Sequence, residues 1–380
     1  MNLSGLNIVA DENIPALESL FDCFGKITRI PGRSMKKSDL KEADILLVRS
    51  VTKVDRALLE GTPVSFVGTA TIGTDHIDQH WLHEQGIGFS SAPGCNADAV
   101  AEYVLSNLLL VAREQGFDLL DKVVGIVGVG NVGRRLQRRL ERLGVKLLLN
   151  DPPRQSAGTE GMVPLDQLLK EADIICLHTP LVKDGKYPSH HLLNQDNLPL
   201  VKQGAVLLNA GRGPVIDNTA LLNWHLIRED VTLLLDVWED EPRVGSELAE
   251  RVRIGTPHIA GYSLDGKIRG TWMLYNAFCE HRGLVPDVDF KQCLSEIVQP
   301  VVKLTGKEDL TDIIHMIYDP ADDHARFMSS LDDAAMQPER FDQLRKQYPV
   351  RREFAAAGFS GAKLASDLKG QLVAAGFICD

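Results

Sequence analysis

The stretch that most constrains this chain is Lys122-Val-Val-Gly-Ile-Val-Gly128-Val-Gly130-Asn131-Val132-Gly133-Arg134, an apolar run that breaks into three spaced glycines and continues as a helical pattern. A GxGxxG string says little alone, but between a strand and a helix it dictates a tight βα turn. Gly128 permits the turn, Gly130 leaves room for a ligand to reach the backbone, and Gly133 lets helix and strand lie close. The helix start, with Asn131 and Val132 in its first turn, presents unpaired amides and a partial positive charge, a field that suits two phosphates. Eighteen positions beyond Gly133, at the end of the next apolar run, stands Asp151. A carboxylate there accepts bonds from ribose hydroxyls and repels a 2′-phosphate, so the reading is a dinucleotide site for NAD. Arg154, three residues on, keeps NADP open as the alternative.

The surrounding pattern agrees. Residues 123–127, 145–149, 173–177, 205–209, 232–235 and 253–254 read as six successive strands separated by helical segments such as 165–170 and 219–227, which makes a doubly wound sheet. Ahead of them, 6–10, 45–48 and 64–67 read as strands and 14–24 as helix, a first α/β unit of its own. Between the two, residues 96–113 carry Val100, Val104, Leu108 and Val111 on a broad apolar face, a helix long enough to bridge domains. From 286 the texture changes: 287–290 reads as a strand, followed by polar helical segments and the charged, aromatic run 338–354. The fold class is α/β, with two doubly wound α/β domains and a small separate C-terminal module. The expected divisions are 1–92 with 258–285, then 93–257, then 286–380.

With 41 basic and 52 acidic side chains among 380 residues, the formal charge is -11, which opposes binding to phosphate backbones and anionic membrane surfaces. The arginines at 134, 135, 138, 139 and 142 are expected on the solvated faces of a helix buried through Leu136, Leu140 and Leu143, not on a nucleic-acid surface. Six scattered cysteines form no CxxC pair, no apolar run reaches bilayer length, and no basic-then-apolar leader opens the chain. A reducing, cytoplasmic setting is expected, without membrane or nucleic-acid partners.

Four further segments begin near the carboxyl ends of expected strands: His178-Thr179-Pro180-Leu181, Asn209-Ala210-Gly211-Arg212-Gly213, Asp236-Val-Trp-Glu-Asp-Glu241-Pro242 and Pro257-His258-Ile-Ala-Gly261. That edge of an open α/β sheet is where ligands bind. Arg212, Glu241 and His258 have complementary chemistry: arginine clamps a carboxylate and polarises the neighbouring carbonyl, histidine takes a hydroxyl proton as hydride leaves, and a carboxylate steadies the imidazolium. In order and spacing these motifs resemble the D-isomer-specific 2-hydroxyacid dehydrogenases over roughly residues 1–285. The resemblance implies Arg212 as the substrate-activating group, Glu241 as the partner of the histidine and His258 as the proton acceptor. It also implies Asp236 at the nicotinamide carboxamide, and Thr179, Pro180, Ala210, Gly211 and Gly261 along the cofactor. Many members carry arginine where this chain has Asn131, which weakens one pyrophosphate contact. The family needs no metal, so His76, His80 and His83, despite their acidic neighbours, are expected to lie on a hydrated helix surface, and His190-His191 is read as equally plain.

The segment Arg49-Ser50-Val-Thr-Lys53 ends an expected strand with a guanidinium, hydroxyls and an ammonium, a set suited to phosphate; a strand-end salt bridge is the other reading of Arg49. Thr71 and Gly73, in the loop 68–75, are suited to a carboxylate. The expected substrate is therefore a 2-hydroxy acid with a distal phosphate. A narrower resemblance, to one phosphate-handling branch of the family, rests on residues 90–96, 176–181, 257–267 and 341–354. It implies Tyr262 as a further substrate contact and the C-terminal module as an α+β homodimerisation domain. Another phosphorylated hydroxy acid, of the 3-phosphoglycerate type, and a non-enzymatic NAD-sensing protein remain as rivals.

Overall fold

Short apolar runs closed by Gly, Asp or Pro have no polar face to give to water, so they form central parallel strands with both faces covered. The computed structural model describes residues 5–295, 297–333 and 335–379. The first unit runs through Asn96 and regains the chain at 263–298; the second comprises 97–262 and the described residues from 299 onward. In the first, β1 (Leu6–Asp11), α1 (Leu17–Phe21), β2 (Gly25–Ile30), β3 (Ile45–Val48), α2 (Arg56–Leu59), β4 (Phe66–Thr69), α3 (Gln79–Glu84) and β5 (Gly88–Ser91) build an all-parallel sheet in the order β2-β1-β3-β4-β5. Sequence reading missed β2 and β5. Both are edge strands: β2 leaves alternate residues exposed, and β5 reads Gly-Phe-Ser-Ser, without the β-branched run of a buried strand.

The second unit opens with α4 (Ala97–Gln115), buried on nearly every side, including Glu102, Ser106 and Asn107, rather than along one broad face. There follow β6 (Val123–Val127), α5 (Asn131–Leu143), β7 (Lys146–Asn150), α6 (Pro152–Ser156), α7 (Leu165–Glu171), β8 (Ile174–Leu177), β9 (Val206–Asn209), α8 (Asn218–His225), β10 (Thr232–Leu235), α9 (Ser246–Ala249) and β11 (Ile254–Gly255). All six strands expected here are present, in the order β11-β10-β9-β8-β6-β7. The order reverses between β6 and β8, the point at which open α/β sheets bind ligands.

Ser263 then caps α10 (Leu264–His281) through a 2.9 Å bond from Gly266 N. This helix packs Leu274, Tyr275 and Phe278 into the first unit's core against Phe21, Phe24 and Phe66. No strand forms at 287–290, contrary to expectation: this segment runs along α10, with Val288 O accepting from Trp272 Nε1 at 2.8 Å and Asp287 accepting from the Tyr275 hydroxyl. The rest of the chain supplies β12 (Val301–Leu304), α11 (Leu310–Ile317), α12 (Pro320–Ser330), α13 (Gln337–Lys346), β13 (Gly358–Gly361) and α14 (Ser366–Ala375), with β12 and β13 pairing in parallel. Two strands and a few helices make little core of their own. Val302, Ile313, Ile314, Phe354 and Leu372 instead join Val104, Leu108 and Leu136 in one cluster, so this segment is built into the second unit. One arginine departs from expectation for the same reason. Arg139 on α5 is buried, pairs with Asp98 at 3.0 Å and Glu102 at 3.5 Å on α4, and donates to Ala375 O at 2.9 Å.

Candidate active site

The glycine turn closes where the strand order reverses. Gly128 has φ +89, and a Cβ there would meet His178 C at 2.8 Å, so only glycine lets the loops after β6 and β8 touch. A Cβ on Gly133 would fall 2.1 Å from Gly128 O, whereas one on Gly130 would find nothing within 4 Å. The tight turn, open approach and close helix packing read from sequence are all present. No side chain caps the start of α5, and Asn131 is exposed in its first turn. Asp151, at the end of β7, braces the turn by accepting from Val129 N at 2.8 Å and Arg154 N at 3.1 Å, while Arg154 Nη1 donates to Val129 O at 3.1 Å.

The loops after β9, β10 and β11 carry the remaining groups. His258 has φ +57, an uncommon conformation for a residue with a Cβ, and two bonds hold it there. Its amide donates to Asp236 O at 2.7 Å, and its Nδ1 lies 2.5 Å from Glu241 Oε1. Burial alone would push the Glu241 carboxyl up; the His258 ring beside it, their hydrogen bond, the Arg345 charge and the Trp238 amide together hold it below the ordinary range. Asp236 is buried and its carboxylate anchors the histidine loop, accepting from Thr256 Oγ1 at 2.6 Å, Ile259 N at 2.7 Å and Ala260 N at 3.0 Å. The turn carrying Arg212 abuts this assembly: a Cβ on Gly213 would lie 1.9 Å from Trp238 O. Arg212 Nη1 bonds Gly211 O at 2.9 Å, and Asn209 Nδ2 bonds Arg212 O at 3.0 Å.

A model of the D-isomer specific 2-hydroxyacid dehydrogenase NAD binding domain matches residues 107–260, and one described as a domain of unknown function (DUF3410) matches 295–372. The chain is 49% identical over 378 residues to an erythronate-4-phosphate dehydrogenase of Pseudomonas entomophila strain L48, covering 96% of this chain and 99% of that one. It is 49% identical over 355 residues to the enzyme of that name from Escherichia coli strain ATCC 8739, covering 92% and 93%. The chain belongs to the D-isomer specific 2-hydroxyacid dehydrogenase family. In fold it is similar to an NAD-bound 3-phosphoglycerate dehydrogenase of Entamoeba histolytica, with TM-score 0.62 and 24% identity over 75% of this chain and 99% of that one.

As a member of this family, the protein is an NAD-dependent dehydrogenase, and its own residues fit that cofactor. Both ring nitrogens of His178 and the Thr179 hydroxyl are buried without a hydrogen-bond partner at the reversal point, in the segment that meets Gly128. Burial drives the His178 pKa down to about 4, so the ring is neutral near pH 7. Pro180 follows at the β8 end, Ala210 and Gly211 at the β9 end and Gly261 in the His258 loop, all in the second unit.

The first unit holds the other expected contacts. Arg49 Nε donates to the buried Asp11 at 2.9 Å, so the strand-end salt bridge exists; it engages Nε and directs the guanidinium at the end of β3, with Ser50 exposed beside it. Thr71 bonds Thr69 Oγ1 at 2.8 Å and Gly73 O at 3.0 Å, and His76 Nε2 completes the chain at 2.9 Å from Thr69. His80 is an exposed partner of Glu84. The plain reading of His190-His191 overlooked a cluster: their ligating atoms and those of Glu239 lie within 4.8 Å of one another, His191 bonds Glu239, and Glu239 accepts from Asn218 N at 2.9 Å. Sequence reading also missed Arg345, whose Nε donates to the Tyr262 hydroxyl at 3.1 Å. The charged, aromatic texture of 338–354 was visible, but nothing in it says which cation turns toward the site.

Proposed function

We propose that the dehydrogenase oxidises 4-phospho-D-erythronate to 2-oxo-3-hydroxy-4-phosphobutanoate, a step toward pyridoxal phosphate. Similarity to erythronate-4-phosphate dehydrogenases along nearly the whole chain supports the substrate, and the Glu241–His258 bond carries the chemistry. NAD, when bound, supplies the hydride acceptor. Because Nδ1 of His258 is engaged by Glu241, Nε2 is the nitrogen that takes the C2 hydroxyl proton, and the carboxylate stabilises the imidazolium that results. Arg212 binds the substrate carboxylate and polarises C2, aided by Thr71 and Gly73; Arg49 and Ser50 take the phosphate, and Tyr262 adds a further contact. Gly128, Gly130, Asn131, Val132 and Gly133 cradle the pyrophosphate, Asp151 the ribose, and Asp236 the nicotinamide end.

The protein works as a homodimer through its C-terminal segment and resides in the cytoplasm. Val301, Met316, Val350, Val373 and Ile378 expose large apolar side chains on that segment, which supports the dimer. Among the described residues no disulfide joins the cysteines, in keeping with a reducing compartment, and no helix is long and apolar enough to cross a membrane. A substrate panel followed by nicotinamide absorbance tests the assignment. 4-Phosphoerythronate should exceed 3-phosphoglycerate and D-lactate in kcat/KM by at least roughly a hundredfold, since each buried polar contact left unmet is costly. Preference for either competitor would overturn it.

A further inference from the structure

The segment that matches a domain of unknown function packs against the histidine loop, Arg345 bonding the Tyr262 hydroxyl and Arg351 the main chain of Ala260. On α13, the side chain of Gln337 bonds both main-chain groups of Val244, at 3.1 and 2.9 Å. Phe341 packs edge-on against Phe327, and Phe327 stacks on Trp238 with ring centres 5.2 Å apart. Trp238 in turn gives its amide to Glu241 at 3.3 Å and its indole N–H to Thr256 O at 3.0 Å. One helical turn beyond Phe341, Arg345 donates Nε to the Tyr262 hydroxyl and lies with its guanidinium 5.6 Å from the centre of that ring. Tyr348 also packs edge-on to Tyr262, with ring centres 5.6 Å apart.

We infer that Arg345 is a positioning residue of the active site: from the C-terminal segment it fixes the Tyr262 phenol and places a permanent positive charge behind the Glu241–His258 pair. An aromatic ring held between a guanidinium and a second ring has few orientations left, so its hydroxyl is aimed before substrate arrives. The same charge favours the carboxylate form of Glu241, a direction already evident in its lowered pKa. The buried Asp236 also faces the His258 side of the pair, and Tyr262 and Asp342 face Arg345. The inference rests on reading Glu241 and His258 as the proton-accepting pair, and its test is readable without turnover.

The experiment follows the Glu241 carboxyl by NMR titration of its ¹³C-labelled side chain in the full-length protein, the signal identified by its absence in Glu241→Gln. Removing a nearby cation makes protonation easier, so in Arg345→Met the midpoint should rise by about half a pH unit. Arg345→Lys keeps the charge and should titrate within about 0.2 unit of the parent. In turnover assays Lys should nonetheless raise KM for 4-phosphoerythronate roughly tenfold, as should Tyr262→Phe, because the phenol is no longer aimed. Should Arg345→Met fail to fold, Arg345→Gln removes the same charge and is read the same way. A parental midpoint in the neutral variants would overturn the inference. Absence of turnover in the parent would count instead against the proposed substrate and leave the titration standing as the test of Arg345.

Discussion

Gly130 and Gly133 lie three positions apart in opposite surroundings, open space for one and a carbonyl oxygen for the other. Gly130→Ala should leave the urea midpoint of unfolding nearly unchanged while weakening NAD binding about tenfold, because only the ligand approaches that face. Gly133→Ala must push the helix off the turn, and should cost about 2 kcal/mol of stability as well as affinity. His178 gives a prediction with a definite sign. Its folded pKa of about 4 lies below the ordinary 6.5, so as pH falls the unfolded chain takes the proton first. Its contribution is therefore complete above about pH 6.5 and is lost on the way down to about 4. At pH 5 the loss is about 2 kcal/mol, and His178→Asn should show a correspondingly flatter stability profile in urea titrations of the NAD-free protein. At this scale the pairing of Glu241 with His258 was legible in the sequence, because an acid and an imidazole after neighbouring strand ends are chemically complementary. The anchoring bonds of Asp236 to Ile259 and Ala260 were not, because they depend on how two distant loops stack.

Between elements, the decisive contacts are buried charges that periodicity misplaces. Arg139 falls in a run of arginines that looks like a solvated helix face, yet it links α5 to α4 and to the end of α14. Deleting its charge leaves Asp98 with Arg135 alone and takes the neighbouring guanidinium from the buried Glu102, so Arg139→Met should cost about 3 kcal/mol in urea unfolding. An effect near zero would mean the cluster is a hydrated surface pair. Strands β6, β8, β9 and β10 were legible because central parallel strands are continuous apolar runs. Edge strands β2 and β5 were not, since half-exposed or glycine-serine sequences look like loops. The segment at 287–290 looked like a strand because an extended chain bonded to helix side chains has the same apolar alternation as a sheet edge.

At the scale of the whole molecule, a sequence can announce a change of texture at residue 286 without saying where the new segment packs. The apolar residues of the C-terminal segment complete the cluster over α4, a long-range fact that local patterning does not encode. The dimer proposed through its exposed apolar side chains should be detected by sedimentation velocity; a monomer at micromolar concentration would count against that assembly. All of this serves one chemical claim, that His258, steadied by Glu241, takes the hydroxyl proton as hydride leaves C2 of the substrate. The direct measurement is kcat of His258→Ala with NAD and 4-phosphoerythronate, beside its NAD dissociation constant. A fall of roughly a thousandfold in kcat is expected, with NAD affinity unchanged within about twofold. Turnover close to that of the parent protein would contradict it.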